Sequence, residues 1–354
     1  GGSIAWIDDG GALKVGPHSA GASPGPVAYG LRGEHITLTD ANLILGRLNP
    51  STLLAGDIAL DLEKAYIEMK RQISTPLGLS VEAAATGIIK IAASGIARAI
   101  RGVASAKGNS PSEFSLFAYG GAGPLCAADV NEEVGCPRII IPPAPGTLCA
   151  RGILLSDLSF DFVRSLLVLA EVDGWEVVMK NLEAHKEQAN KLFIGDEVLP
   201  SARSFKYYLE ARYKGQSYEL RIPLPSQIKS ESLVEFIAAF HTEHKKEFGY
   251  ELLERPIEIV NCRLEAVGKT SKPIAEKATQ NKTELKVKEI REVYFGSSFG
   301  WKETPVYKRA DISHRAKVAG PAIIEEMSST TILPPNYEAT VDNGANLILM
   351  ESSL

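Results

Sequence analysis

The sequence has few cysteines and no excess of positive charge, and each shortage excludes a class of protein. Four cysteines among 354 residues form no Cys-x-x-Cys pair and no zinc-type spacing. Reduced thiols in a cytoplasmic protein are the simplest interpretation. The formal net charge of −5 offers no basic surface for nucleic acid and no attraction to anionic lipid. No group of potential metal ligands has a convincing spacing, so no metal site is assigned.

Long uninterrupted apolar runs are missing as well. The most apolar segment, residues 83–105, contains Lys90, Arg98 and Arg101, so we do not expect it to span a membrane. It is apolar on most faces, which predicts a buried helix that begins after Ser80. The chain opens without an initiator Met and without the charged and apolar regions of a signal peptide.

Glycine, proline and small residues are instead abundant in residues 1–46. The segment 19–26 reads Ser-Ala-Gly-Ala-Ser-Pro-Gly-Pro, and its two prolines stiffen it. Such a loop can present backbone donors to a ligand, or it can be a structural Ω-type loop. We favour a site-lining role and name Ser19, Gly21 and Gly25 as substrate-binding candidates. His18, beside this loop, is the candidate histidine for catalysis.

Asp40 and Asn42 stand at the start of a predicted helix. A carboxylate and an amide at this place could bind a substrate amide or a cation, so both are substrate-binding candidates and Asp40 is also a catalytic candidate. The favoured alternative is that Asp40 is the N-cap of the helix. Gly46 is predicted to end this helix, and Asp61 is predicted to begin the next one.

A glycine-rich turn lies between a predicted strand and a predicted helix. Residues 114–119 read as a strand, Gly120–Pro124 as the turn, and residues 125–134 as a helix before a buried strand at 138–141. This order is typical of an α/β nucleotide fold, although a turn without a ligand explains it equally well. The sequence has no Walker-type lysine after the glycines, and Cys126 stands where a dinucleotide fingerprint needs a small residue.

Three other groups of reactive residues have a favoured structural interpretation. Asp8 and Asp9 could act as metal ligands or a base, but before two glycines they favour a hairpin turn. His241 and His244 could hold a metal, but the place of His244 on an apolar helical stripe favours a partly buried core histidine. Cys126 could be a reactive thiol at a helix start, and a small buried filler is favoured.

The chain is predicted to divide into three consecutive domains. Residues 1–160 form an α/β domain with the glycine loop, residues 161–268 an α+β domain, and residues 269–354 a small β-rich domain. The second contains predicted helices at 182–192 and 231–248, and predicted strands at 205–209, 211–213, 217–222 and 257–266. A hydrophilic linker or exposed loop is predicted at 268–284.

Several motifs together resemble a known family. They are Gly1-Gly2-Ser3-Ile4-Ala5-Trp6, Val15-Gly16-Pro17-x-Ser19-Ala20-Gly21-Ala22-x-Pro24-Gly25-Pro26, Thr39-Asp40-Ala41-Asn42-Leu43-x-Leu45-Gly46-Arg47-Leu48, Gly120-Gly121-Ala122-Gly123-Pro124-Leu125, Arg212-Tyr213-x-Gly215-Gln216-Ser217-Tyr218-Glu219-Leu220, Phe248-Gly249-Tyr250 and Gly320-Pro321-Ala322-Ile323-Ile324-Glu325. In this order they resemble the hydantoinase A / N-methylhydantoinase / 5-oxoprolinase family, and the likeness covers essentially the whole chain.

The resemblance implies a fold, a reaction and a ligand. The fold is α/β: the second lobe of an actin/hexokinase/Hsp70-like ATPase fold, followed by a C-terminal α+β, β-rich domain. The reaction is ATP-dependent opening of a cyclic amide such as a hydantoin or 5-oxoproline, through a phosphorylated intermediate, with ATP and Mg²⁺. The nucleotide-binding candidates are Gly120, Gly121, Ala122, Gly123 and Pro124, which match the family's adenosine segment. A hydantoinase B-type partner subunit, a homo-oligomer, or both are also implied.

Two departures from the family pattern limit this expectation. The family's Asp/Gly/Thr-rich phosphate loops are absent from the sequence, and Cys126 stands where the family commonly has His. We therefore expect no ATP hydrolysis by this chain alone. One alternative is a non-catalytic or split-gene subunit of a related ketone carboxylase or amidohydrolase complex. Another is a stand-alone module that binds a small molecule.

Overall fold

The computed structural model describes residues 2–51, 59–272, 285–314 and 316–352. The strands are β1 (Ser3–Ile7), β2 (Leu13–Ser19), β3 (Leu116–Phe117), β4 (Ile139–Ile141), β5 (Leu158–Leu169), β6 (Arg203–Tyr213), β7 (Leu220–Leu224), β8 (Ile257–Gly268), β9 (Glu289–Tyr294), β10 (Trp301–Lys308), β11 (Lys317–Ala319), β12 (Ala322–Glu326), β13 (Ser329–Leu333), β14 (Tyr337–Val341) and β15 (Leu347–Glu351). The α-helices are α1 (Leu38–Ile44), α2 (Leu62–Met69), α3 (Thr75–Leu77), α4 (Val81–Ala106), α5 (Gly123–Val134), α6 (Leu148–Leu155), α7 (Val172–Gly195), α8 (Ser232–Phe248) and α9 (Gly296–Phe299). This mixture of helices and sheets confirms the predicted α/β class.

The chain separates into two compact units. One comprises Gly1–Gly152 and Ala275–Leu354, and the other comprises Ile153–Ile274. The β-rich segment predicted as a third domain therefore belongs to the same unit as the first 152 residues. Its strand β15 pairs with β4 in the five-stranded sheet β11-β14-β15-β4-β3, and hydrogen bonds between strands so far apart in sequence cannot be seen in local patterns. The predicted linker at 268–284 lies largely outside the described residues.

Side-chain caps fix where the helices of the first unit begin. Thr37, rather than the predicted Asp40, is the N-cap of α1, and Asp40 is its reciprocal partner in a capping box. Asp61 and Ser80 cap α2 and α4 as predicted, each accepting a hydrogen bond from a backbone N–H three residues later. Gly46 follows α1 in the left-handed conformation, also as predicted.

Helix α4 is only partly buried, so the prediction of a helix buried all round is wrong. Its first half packs through residues such as Ile88 and Ile89, whereas Ile96 is 41% and Val103 63% exposed. The reason is that α4 packs through one face, on which Ala97 is still fully buried beside the exposed Ile96. By length and composition α4 could cross a membrane, with a mean hydropathy of 1.4 over its most apolar 18 residues, of which 33% are buried. Core helices can have the same composition, so this is weak support for a membrane span.

The second unit is an antiparallel sheet, β5-β8-β6-β7, packed against α7 and α8. Its core is aromatic, with Trp175, Phe193, Phe236 and Phe240 all buried. The predicted helix at 182–192 is the middle of the longer α7, and the two short strands predicted at 205–213 are the single strand β6. Strand β7 begins three residues after the predicted start at 217.

Candidate glycine-loop site

The glycine loop joins β3 to α5, as the sequence predicts. The regular strand is shorter than predicted and comprises only Leu116 and Phe117, which pair in parallel with β4. Gly120 has φ of 82°, a backbone conformation that favours glycine. Helix α5 begins at Gly123 with no side-chain cap on its first turn. Its first N–H groups and the exposed backbone of Gly121 and Ala122 can therefore donate to a ligand.

A second loop, residues 142–147, supports the glycine loop. The backbone N–H of Gly120 donates to the carbonyl of Pro145 over 2.8 Å. Two other carbonyls of this loop are used as well: Arg151 donates to Pro143, and the backbone N–H and hydroxyl of Thr147 donate to Ala144. The loop is thus held by hydrogen bonds on both sides, and it fixes the start of the glycine loop. We define the glycine-loop site as residues 120–124 with residues 142–147.

The small-residue loop at 19–26 does not share hydrogen bonds with this site. Ser19 accepts a hydrogen bond from the N–H of Gly21 over 3.2 Å, and Gly25 donates to Ala20. His18 is exposed on β2. Among the described residues, no hydrogen bond or ion pair joins residues 19–26 to the glycine loop. Their assignment to a substrate cleft therefore stays a prediction.

Asp40 has a structural environment that leaves no room for a ligand at its carboxylate. It is fully buried, and its oxygens accept from the N–H of Ala28, the N–H of Thr37 and the hydroxyl of Thr37, each over 2.8 Å. Burial raises the pKa of the Asp40 carboxyl, and these hydrogen bonds oppose that rise. Asp40 thus ties the loop before α1 to the helix. Its predicted catalytic role has no support in this geometry.

Asn42 is also buried, at 3% exposure. Its side-chain amide donates to the carbonyl of Leu38 over 2.9 Å, and its Oδ1 atom has no hydrogen-bond partner. The side chain therefore faces protein on α1 rather than open solvent. It is placed beside Asp40, but not at an exposed surface.

Of the two histidines of α8, His244 belongs to the core of the second unit, as favoured by the sequence, and His241 is half-buried. His244 is 1% exposed, and its Nδ1 lies 2.9 Å from the carbonyl of Tyr250. His241 lies 2.6 Å from the hydroxyl of Tyr213. Across the described ranges, no group of three or more His, Cys, Asp or Glu side chains could hold a metal ion. Asp8 closes the β1–β2 hairpin by accepting from the N–H groups of Gly10 and Ala12.

The four cysteine thiols differ sharply in burial, which allows a direct test of whether Cys126 is reactive. Cys149 is exposed, Cys126 is half-buried, and Cys136 and Cys262 are buried. Burial raises the pKa of the Cys126 and Cys136 thiols, and that of Cys262 to about 11. We expect one fast equivalent with a disulfide reagent at pH 8 and the remaining thiols only after unfolding. Cys149→Ser should abolish the fast phase; a fast phase that survives would identify Cys126 as reactive.

Sequence reasoning missed the ion pair that anchors α5. Arg47, just after α1, holds Asp129 on α5 through two hydrogen bonds of 2.6 and 3.1 Å. The side chains are 8% and 21% exposed. Arg47 belongs to the motif quoted above, and the sequence offered no signal for its partner 82 residues away. The pair connects the end of α1 to the helix that follows the glycine loop.

Comparison with known proteins gives these elements a context. Models of the hydantoinase/oxoprolinase family and of the hydantoinase/oxoprolinase C-terminal domain match residues 1–162 and 172–351. An uncharacterized protein of Methanocaldococcus jannaschii is 39% identical over 97% of this chain and 48% of its own length. The caprolactamase alpha subunit of Pseudomonas jessenii is 35% identical over 98% of this chain and 50% of its own length.

Solved structures agree with the sequence matches. A nucleotide-free structure of acetone carboxylase, from work on ATP-dependent acetone carboxylation, has a TM-score of 0.85 at 25% identity and covers 99% of this chain. The structure of the ATP-dependent caprolactamase from Pseudomonas jessenii has a TM-score of 0.72 at 33% identity. The chain spans 51% and 52% of those chains, about half their length. These neighbours confirm the predicted fold class, an α/β ATPase-like lobe with a β-rich region.

Proposed function

Because the chain belongs to the hydantoinase/oxoprolinase family, we propose that it is the nucleotide-binding part of an ATP-dependent enzyme that opens a cyclic amide. The substrate class is that of hydantoins, 5-oxoproline and lactams. The caprolactamase relative supports this class, since its name states that it acts on a lactam. Because the chain spans about half of its relatives, the complete active site is proposed to need further polypeptide.

The observation that carries the proposal is the uncapped start of α5 behind the glycine loop. A strand, a glycine turn and a helix N-terminus place several backbone N–H groups close together without side chains to block them. A nucleotide offers an adenine edge, ribose hydroxyls and phosphates, and backbone donors of this kind suit either ring acceptors or phosphate oxygens. Residues 120–124 are proposed to contact the adenosine end of the nucleotide.

The chain supplies positioning rather than a complete phosphoryl-transfer site. Bound ATP would supply the phosphoryl group that activates the amide for attack by water. The described residues offer no cluster of carboxylates for Mg²⁺, so we assign no magnesium ligand to them and build no step on that ion. Phosphoryl transfer depends largely on placement of the nucleotide and on neutralisation of its charge. This chain's part is to hold the nucleotide in a fixed orientation.

Binding without turnover is the expected behaviour of the purified chain. We expect calorimetry to detect a non-hydrolysable ATP analogue, and we expect no ATP-dependent release of phosphate with 5-oxoproline, hydantoin or caprolactam. Gly121→Val should abolish binding, since a branched side chain would occupy the space of the ligand and would approach the carbonyl of Ser328, which already lies 3.3 Å from a Cβ at this position. Absence of nucleotide binding by the wild-type chain would contradict the proposal, and robust turnover would contradict the need for further polypeptide.

A second candidate is a subunit of an ATP-dependent ketone carboxylase. The TM-score of 0.85 to acetone carboxylase favours it, and the acetophenone carboxylase gamma subunit is 30% identical over 99% of this chain. The two candidate functions can be separated by assays on a complex of this chain with its partner subunit. ATP-dependent ring opening without bicarbonate supports the amidohydrolase. ATP-dependent incorporation of labelled bicarbonate into a ketone supports the carboxylase. A hydantoinase B-type partner subunit is proposed for either complex.

We also propose a cytoplasmic location for the chain, because free thiols are typical of a reducing compartment.

A further inference from the structure

A hairpin far along the chain lies against the glycine-loop site. Strands β12 and β13 pair in register from Ala322 with Leu333 to Glu326 with Ser329, so Met327 and Ser328 form a tight turn. A Cβ atom at Gly121 would lie 3.3 Å from the carbonyl oxygen of Ser328, and one at Gly146 would overlap with the Ser328 side chain. The hairpin therefore packs against both loops of the site.

Glu326 makes the polar contact between this hairpin and residues 142–147. Its Oε2 atom accepts a hydrogen bond from the backbone N–H of Ala144 over 3.0 Å. Ala144 stands among Pro142, Pro143 and Pro145, which have no N–H, so it is the one backbone donor in this four-residue run. It also has φ of 50°, an uncommon conformation for alanine that the surrounding contacts must maintain.

The chain of contacts continues from Ala144 to the glycine loop. Pro145, the next residue, accepts the N–H of Gly120 over 2.8 Å. Burial raises the pKa of the Glu326 carboxyl and the charge of the Arg309 guanidinium opposes that rise, while the Oε1 atom is buried without a hydrogen-bond partner among the described residues. A substitution at Glu326 should therefore alter the position of Gly120, because two hydrogen bonds and one peptide unit connect the two residues.

We propose that Glu326 is a positioning residue that fixes the glycine loop by holding the backbone of Ala144. This inference rests on the proposed nucleotide binding by residues 120–124, and it adds a residue that lies about 200 positions away in sequence. Without the carboxylate, the N–H of Ala144 loses its acceptor, residues 142–147 relax, and the carbonyl that receives the Gly120 N–H moves.

The test compares two adjacent glutamates of β12 that face opposite sides. Glu326→Ala removes the acceptor, and Glu326→Gln keeps an acceptor oxygen of the same reach. Glu325→Ala is the matched control, because Glu325 pairs with Lys288 and Arg291 and does not contact Ala144. Two measurements are made on the whole chain: hydrogen exchange at the Gly120 amide by NMR, and the Kd of a non-hydrolysable ATP analogue by calorimetry.

Glu326→Ala is expected to speed exchange at Gly120 about tenfold and to raise the Kd about tenfold, since it removes a hydrogen bond to a carboxylate that holds Ala144 in its uncommon backbone conformation. Glu326→Gln and Glu325→Ala should each stay within about threefold of the wild type in both measurements. If Glu326→Ala does not fold, Glu326→Asp carries the test, because its shorter side chain keeps the charge and withdraws the acceptor.

The outcomes separate this inference from the proposed function. Unchanged exchange at Gly120 in Glu326→Ala, or an equal effect of Glu325→Ala, would overturn the positioning role. Faster exchange in Glu326→Ala together with no nucleotide binding by the wild-type chain would leave the structural link standing and would refute nucleotide binding at this site.

Discussion

Asp129→Ala is expected to destabilise the first unit by about 3 kcal/mol, because it leaves the buried Arg47 guanidinium without its counter-charge. Both terminal nitrogens of Arg47 bind the Asp129 carboxylate, and the Arg47 Nε atom already lacks a partner. Among the described residues, the Arg47 guanidinium has no second hydrogen-bond acceptor to replace the carboxylate. The free energy lost is therefore that of an uncompensated buried charge, rather than that of one hydrogen bond.

The single variants Arg47→Met and Asp129→Ala should lose different amounts of stability, because the two side chains differ in exposure. The Arg47 side chain is 8% exposed and that of Asp129 is 21% exposed, so water can reach an orphaned carboxylate more easily than an orphaned guanidinium. Arg47→Met should therefore cost less than Asp129→Ala, on the order of 2 kcal/mol. The double variant Arg47→Met with Asp129→Leu should be more stable than either single variant, because no charge is left buried.

Amide hydrogen exchange is the suitable measurement, since unfolding of a chain with two units need not be two-state. Exchange along α5 should accelerate in Asp129→Ala, while α7, which lies in the other unit, serves as an internal reference. Equal acceleration in both helices would indicate global unfolding instead of local release of α5. A double variant no more stable than Asp129→Ala would contradict the buried-charge explanation.

Local structure was predictable wherever a few adjacent residues determine it. Asp61 and Ser80 are short polar side chains just before apolar periodic segments, and both are caps in the structure. The cap of α1 was misplaced because Thr37 and Asp40 are both good capping residues. The spacing Thr-x-x-Asp satisfies both in a capping box, which the sequence interpretation did not consider.

The parts of the site that depend on distant residues could not be predicted. The glycine loop was visible in the sequence, but its support comes from residues 142–147 and, about 200 positions later, from Glu326. Hydrophobic periodicity reports which face of an element is buried and says nothing about which element covers it. The same limit explains why α4 was expected to be buried all round, and why β15 was not expected beside β4.

Gly46→Ala is expected to cost roughly 3–4 kcal/mol, which combines a left-handed alanine with a steric overlap. Gly46 has φ of 76° and ends α1 in a Schellman motif: its N–H donates to Leu43, and the N–H of Arg47 donates to Asn42. A Cβ atom at Gly46 would overlap with the carbonyl oxygen of Glu292 on β9. Neither the Gly46 Cα atom nor the Glu292 carbonyl can move freely, because both belong to the backbone.

A second glycine isolates the steric part of this cost. Gly78 ends α3 with φ of 66°, and a Cβ atom there would meet nothing within 4 Å. Gly78→Ala should therefore cost only about 1 kcal/mol, the conformational term alone. Urea denaturation of both variants, followed by the fluorescence of Trp6 and Trp301 in a Trp175→Phe background, gives the difference for the first unit.

The difference between the two glycine variants measures how closely α1 and β9 approach. The N–H of Tyr294 donates to the carbonyl of Leu45 over 3.0 Å, directly beside Gly46, so an added methyl group must lengthen this contact or shift the helix end. A shift at Gly46 would also move Arg47 away from Asp129, and Gly46→Ala should consequently speed exchange along α5, as Asp129→Ala does. If Gly46→Ala and Gly78→Ala lose equal stability, β9 shifts to accommodate the added methyl group. The close approach of α1 and β9 would then not be a structural constraint.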